Sequence, residues 1–148
     1  MPSLKRFKKE DLKKIRKSKT KVKKSKQKIF VIHKHHATHL HWDLRLEMKG
    51  VLKSWAVPKE PPLKKNIKRL AIQVEDHDLS YANFEGIIPK GNYGAGKVEI
   101  WDKGTYELKE KTPTKFLLRL NGERLNGEYA LIKTNFRDNK KTWLFMKI

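Results

Sequence analysis

From Ile29 to the C-terminus, apolar positions fall into short runs separated by polar and glycine-containing breaks. "KIFVI" is a continuous run. "HLHWDLRLEM" alternates with period two. Alternate residues of a strand share a face, so Leu40, Trp42, Leu44, Leu46 and Met48 are predicted to face the core. His39, His41, Asp43, Arg45 and Glu47 then form a polar row on the other face. "VLKSWAV" follows after Lys49-Gly50, a turn-forming pair, which predicts a hairpin. "RLAIQV", "GKVEIW", "GTYEL", "FLLRL", "EYALIKT" and "TWLFMKI" complete the set, with turns expected at Asp102-Lys103-Gly104 and Asn121-Gly122. Roughly nine short strands without a convincing long helix predict a mainly β fold, an antiparallel sandwich or barrel.

Residues 1–28 break the pattern. They carry 14 Lys/Arg and two acids, a net +12. Leu4, Phe7, Leu12 and Ile15 could line the narrow apolar face of a short helix, and a flexible basic arm is expected after Lys17. The predicted organisation is therefore a basic, partly flexible extension over 1–28 and a β domain over 29–148.

Charge narrows the choice of partner. Lys and Arg total 36 against 16 Asp and Glu in 148 residues, a formal net charge of +20. Such an excess points to a polyanion, and without an amphipathic basic helix carrying bulky anchors, nucleic acid fits better than a membrane. There is no cysteine, which excludes disulfides and Cys-based zinc sites and makes a reducing compartment the default. No apolar run reaches the roughly 20 residues of a membrane span. The expectation is a soluble cytoplasmic protein.

Candidate chemistry concentrates in one stretch. Five of the six histidines fall within His33–His41, "HKHHATHLH", and Asp43 and Arg45 follow in register. His41 and Asp43, two apart on one face, can reach a single ion, and His-plus-carboxylate donors suit borderline or hard divalent metals. His35 lies about 20 Å from His41 along an unbroken strand. It can join only if the chain reverses near "HAT", 36–38, so that "FVIHKH" becomes the neighbouring strand. The pattern alone does not rank His33, His35, His36 and His39 against one another. Arg45 beside such an ion is placed to bind a phosphoryl group. His77 ends the run "RLAIQV" inside "EDHDLSY", close to Glu75 and Tyr81, where it could act as acid or cationic stabiliser. "GNYGAGKV" nearly matches a phosphate-binding loop, but Val98 replaces the hydroxyl residue and a strand rather than a helix follows. It is read as a tight turn.

The stretches "HKHHATHLHWDLRLEMKGVLKSWAVPK", "LAIQVEDHDLSYANFEGIIPKGNYGAGKVEIWDKGTYE" and "LNGERLNGEYALIKT…WLFMKI" resemble the 3′-phosphoesterase domain of bacterial DNA ligase D over about residues 29–148. The resemblance implies a compact antiparallel β-barrel with few short helices and a groove-like active site. It implies a Mn²⁺-dependent hydrolase, with Zn²⁺ or Co²⁺ as alternative ions. Such an enzyme acts on DNA or DNA/RNA primer-template 3′ ends, removing a terminal ribonucleoside and then the 3′-phosphate to leave a 3′-hydroxyl. Position by position, it implies His35, His41 and Asp43 as metal ligands and Arg45, His77 and Tyr81 as catalytic, phosphate-contacting residues. Lys59 and Arg69 match phosphate or nucleic-acid contacts and Glu75 a supporting position, while His33, where relatives often carry other residues, is only a candidate for a supporting role. It further implies a free-standing member working beside a separate ligase and polymerase of end joining. The rival expectations are a non-catalytic nucleic-acid-binding module with a metal site, and a metal buffer. Neither accounts for the ordered His/Asp/Arg register together with His77 and Tyr81.

Overall fold

The computed structural model describes residues 27–135 and 139–148. Nine strands follow in chain order: β1 Lys28–His36, β2 Leu40–Met48, β3 Val51–Val57, β4 Lys68–Asp78, β5 Gly86–Ile88, β6 Gly96–Thr112, β7 Lys115–Gly122, β8 Asn126–Lys133 and β9 Thr142–Lys147. A short 3₁₀ helix, Leu79–Asn83, links β4 to β5. All strand pairings are antiparallel in the order β1-β2-β3-β4-β9-β8-β7-β6, and β6 returns to β1. The result is a closed eight-stranded barrel, with β5 attached to the start of β6. Closure leaves no unpaired edge around the wall.

One face of the wall fills the interior. Phe30 and Ile32, Leu44 and Leu46, Trp55, Tyr106, Leu118 and Leu120, Tyr129, Leu131, Trp143 and Phe145 form a single buried cluster. The alternation of "HLHWDLRLEM" holds for Trp42, Leu44, Leu46 and Met48, which all face this core. Leu40 does not: it begins β2 at the barrel rim and is 42% exposed. A smaller apolar cluster lies on the outer face, where Val31 and Leu52 meet Ala82 of the 3₁₀ helix. The connection after β4 therefore folds back over the outside of β1–β3.

The Lys49-Gly50 hairpin forms as predicted, with Met48 opposite Val51 and φ of +50° and +82° at the two turn residues. Asp102-Lys103-Gly104 is not a turn. "GKVEIW" and "GTYEL" are halves of one 17-residue strand, β6. Asp102 is buried there, and its carboxylate accepts the backbone N–H groups of Glu123, Arg124 and Leu125 at 2.8–3.1 Å. A side chain at Gly104 would stand 2.1 Å from the carbonyl oxygen of Asn121, so the glycine answers a close strand approach rather than a reversal. Asn121-Gly122 likewise ends β7, and the chain reverses just beyond it at 123–125. The basic stretch with Leu4, Phe7, Leu12 and Ile15 lies outside the described residues.

Candidate active site

The middle of the polar row is buried rather than solvated, while His41 and Glu47 on either side are half-buried and His39 is exposed. Asp43 and Arg45 are 5% and 4% exposed, on the outer face of the barrel opposite the apolar core. Two neighbours supply partners in strict register. Across the β1–β2 hairpin, His35 pairs with His41, His33 with Asp43, and Val31 with Arg45. The reversal predicted near "HAT" occupies 37–39, so His35 is delivered to the site by the adjacent strand.

Asp43 Oδ2 lies 3.2 Å from His41 Nε2 and 3.7 Å from His35 Nδ1. All three donor atoms fall within 4.8 Å of one another. Those spacings suit side chains that share one ion at bonds of about 2.1 Å. The far nitrogen of each ring is tethered. His41 Nδ1–H donates to the carbonyl of His39 at 3.0 Å. His35 Nε2–H donates to the carbonyls of Gly94 at 2.9 Å and Ala95 at 3.1 Å. A carbonyl can only accept, so these bonds keep a proton on the far nitrogen of each ring and turn the near nitrogen toward Asp43, where it can carry a second proton or, without one, meet an ion. The donor set fits a divalent ion of the kind that takes imidazole and carboxylate together.

Electrostatics agree with that geometry. Burial acts to raise the Asp43 pKa, but hydrogen bonds from His35 and His41 and the Arg45 charge hold it well below the usual carboxylate range. His41 is raised, first by its hydrogen bond to Asp43. The proton shared between them stands where a cation would compete.

Arg45 is clamped from several sides. Nε donates to His33 Nδ1 at 3.0 Å, and Nη1 donates to Ser54 Oγ at 2.8 Å and to His77 Nδ1 at 3.1 Å. Nη2 is 3.4 Å from Asp43, and the guanidinium lies over the Tyr81 ring at 5.0 Å. Among the described residues Nη2 has no partner besides Asp43, which leaves one N–H for a ligand. His33 completes its own bonding through Nε2–H to the Phe84 carbonyl at 3.1 Å. Burial, reinforced by Arg45, lowers its pKa to about 4, so it is a neutral brace for Arg45.

His77 reaches this face because of a bulge. Leu52 pairs with His77 but Ser54 pairs with Val74, so three residues of β4 span two of β3. Residues 74 and 77 would point oppositely in a regular strand. The extra residue returns both to one side, where they line the same cavity. His77 is lowered by burial and then by Arg45. Tyr81 packs against His77 at 4.9 Å, stacks on Phe84 at 4.9 Å and meets His33 edge-on at 5.2 Å.

One cavity of about 510 Å³ gathers His35, His41, Asp43, Arg45, His77 and Tyr81. Lys59 and Arg69 are not in it. They line a separate depression with Lys68, and Arg69 Nε donates to the Glu60 carbonyl at 2.7 Å. Glu75 contributes its backbone carbonyl, 3.1 Å from His77 Nδ1. His36 pairs with Glu99 outside the cavity, and His39 serves through its carbonyl. Sequence reading passed over Ser54, whose only signal is a hydroxyl at a buried position of "VLKSWAV". It also passed over the carbonyls of Gly94 and Ala95, which any residue type could supply. "GNYGAGKV" is a turn leading into β6, as expected from the missing hydroxyl. At Gly96 a side chain would stand 2.3 Å from the His36 carbonyl oxygen. The glycine lets this loop close on β1 and meet His35.

Residues 33–133 match the DNA ligase D 3′-phosphoesterase domain family. The chain is 50% identical over 125 residues to the multifunctional non-homologous end joining protein LigD of Pseudomonas aeruginosa, covering 80% of this chain and 15% of that protein. It is 53% identical over 110 residues to the multifunctional non-homologous end joining DNA repair protein LigD of Mycobacterium tuberculosis, covering 72% and 14%. With the corresponding protein of Mycolicibacterium smegmatis it shares 46% identity over 126 residues, covering 78% and 16%. The chain thus spans a small part of the length of these relatives.

Proposed function

The chain belongs to the DNA ligase D 3′-phosphoesterase domain family, and from that premise we propose that it is a metal-dependent hydrolase that trims DNA 3′ ends. It removes a 3′-terminal ribonucleoside as a phosphodiesterase and then the 3′-phosphate as a phosphomonoesterase, leaving a 3′-hydroxyl for repair. The observation that carries this reading is a single cavity holding a three-donor cluster beside a clamped arginine and a histidine–tyrosine pair.

His35 Nδ1, His41 Nε2 and Asp43 would hold one Mn²⁺, and the same donors accept Zn²⁺ or Co²⁺. When bound, the ion supplies positive charge to the phosphoryl oxygens as a Lewis acid. Arg45 places its remaining Nη2 N–H on a non-bridging oxygen, and His33, Ser54 and Asp43 fix that guanidinium beforehand, so little reorganisation is needed as charge develops. His77 and Tyr81 bind the phosphate from the other side. The incoming anion opposes the depression of the His77 pKa. Once protonated, His77 would give up the bond it accepts from Arg45 Nη1, direct Nδ1–H to the Glu75 carbonyl and offer Nε2–H to the leaving oxygen.

Lys59 and Arg69, in their separate depression, would contact the nucleic acid away from the reacting phosphate. The basic stretch 1–28 would add backbone contacts. The reaction would take place in the cytoplasm, with a ligase and a polymerase of end joining acting on the same ends. The test is incubation of the full chain with a primer-template ending in a 3′-phosphate, and with one ending in a single ribonucleotide, with and without Mn²⁺. Release of phosphate, and of the terminal nucleoside, only with the ion is expected. No release from either substrate with any of the three ions defeats the proposal.

A further inference from the structure

Tyr93 is 79% exposed and lines the same cavity as the metal-ligand cluster. An isolated exposed aromatic is ordinary, but this one is set apart by its surroundings. It stands next to Gly94, whose carbonyl holds His35. The loop around it is braced by the Pro89 carbonyl, which accepts from Asn92 N–H, and the Asn92 carbonyl, which accepts from Ala95 N–H. The other aromatic lining the cavity, Tyr81, is covered by His77, Phe84, His33 and Arg45. Among the described residues no ring stacks on Tyr93, so its faces are open.

Depth orders the cavity. Asp43 of the three-donor cluster and the phosphate-binding Arg45 lie at its buried floor, while Tyr93 stands at the rim. A phosphate on the floor carries its nucleotide at the rim, where a base meets a π-face. Beside it lies a second depression, which shares Ala37, His41 and Gly94 with the cavity and is lined further by Thr38, His39 and Asn92. That depression offers room for a leaving nucleoside, distinct from the aromatic rim.

We propose that Tyr93 is the stacking platform for the base of the nucleotide whose 3′ oxygen carries the scissile phosphate. This rests on the DNA-end reading above and assigns it a positioning residue. The retained nucleotide is common to the diester and the monoester, so one platform serves both reactions. Stacking reads no base identity, which suits a trimmer acting on ends of any sequence. The platform also draws substrate onto the loop that orients His35.

The test uses the full chain and a 3′-hydroxyl primer-template, the reaction product, in Mn²⁺, so that binding is read without turnover. Two primers are compared, one with 2-aminopurine at the 3′-terminal nucleotide and one abasic there, labelled upstream. Wild type is expected to quench the 2-aminopurine and to bind the based end roughly 5- to 150-fold more tightly than the abasic end, the range of one base–aromatic stack. Tyr93→Ala should lose both the quench and the preference, and Tyr93→Phe should keep both. Tyr93 is too exposed for its truncation to unfold the barrel. The inference is overturned if wild type does not distinguish the two ends, or if Tyr93→Ala still does. It is also overturned if Tyr93→Ala weakens only substrates that retain a terminal ribonucleoside, which would place the leaving base on the ring. Absence of phosphate release by wild type would remove the proposed hydrolysis and leave this binding result standing.

Discussion

His35 and His41 are register partners across the β1–β2 hairpin, with ring centroids 4.7 Å apart and each far nitrogen tied to a backbone carbonyl. The pairing turns two residues six apart in sequence into adjacent donors, with Asp43 between them. The carboxylate supplies the negative charge of the cluster. Asp43→Asn should weaken Mn²⁺ binding by at least tenfold and abolish phosphate release, because two neutral imidazoles and an amide hold a hard-leaning ion poorly. Calorimetric titration beside a turnover assay checks this, and near-wild-type values would remove Asp43 from the cluster.

His77→Ala should part metal binding from chemistry. His77 touches Arg45 and the Glu75 carbonyl rather than the three-donor cluster. Mn²⁺ affinity should stay within about twofold, while the single-turnover rate falls roughly 10²- to 10⁴-fold, the usual worth of a positioned proton donor. Collapse of both together would make His77 a ligand.

His33 predicts an acid weakness. Its folded pKa is about 4 against an ordinary 6.5. The unfolded chain therefore binds more protons than the folded one between those values. The contribution of neutral His33 is complete above about pH 6.5, falls as pH drops, and is fully lost below about 4, a total of about 3 kcal/mol. Urea unfolding at pH 7 and pH 4.5 should differ more for wild type than for His33→Gln, which cannot titrate. Equal differences would show that His33 does not govern this window.

Gly96→Ala should cost several kcal/mol or prevent closure of the loop. Its φ is +119° and the added Cβ would meet the His36 carbonyl oxygen, a backbone atom that cannot step aside. The change should lower the melting temperature and also weaken Mn²⁺ binding, since the displaced loop carries the carbonyls that hold His35. Loss of stability with intact metal affinity would show that the loop does not orient the ligand.

Deleting residues 1–26 leaves β1 whole and removes 13 Lys/Arg and two acids, a net +11. For every backbone phosphate that the arm neutralises, its removal should reduce the slope of log affinity against log salt by about 0.7–0.9. Primer-template binding should weaken most at low salt, while turnover at saturating DNA persists, because the assigned residues all lie beyond this stretch. Binding across a salt series with melting temperature alongside checks it. An unchanged slope in a folded truncation would show that the arm does not grip the backbone.

The sequence by itself determined most of the strands, the first hairpin and the parity of β2, though not the fusion of two runs into β6 or the short β5. Period-two alternation and a Lys-Gly turn are local, and burying one apolar row leaves a single register. That parity already set His41, Asp43 and Arg45 on one face. Residue types could not say that this face is the buried outer wall of a closed barrel, because burial of a polar row depends on what packs over it. Placing His35 in the three-donor cluster and His33 against Arg45 required the hairpin register and the positions of Gly94, Ala95 and Phe84. The β4 bulge that turns His77 inward leaves no mark in "QVEDHDL", since it follows from pairing with β3. Glycines at 96 and 104 read as turns in the sequence, yet answer close approaches of distant strands. Local periodicity fixed which side chains share a face, and only the closed barrel, through long-range pairing, decided which faces meet.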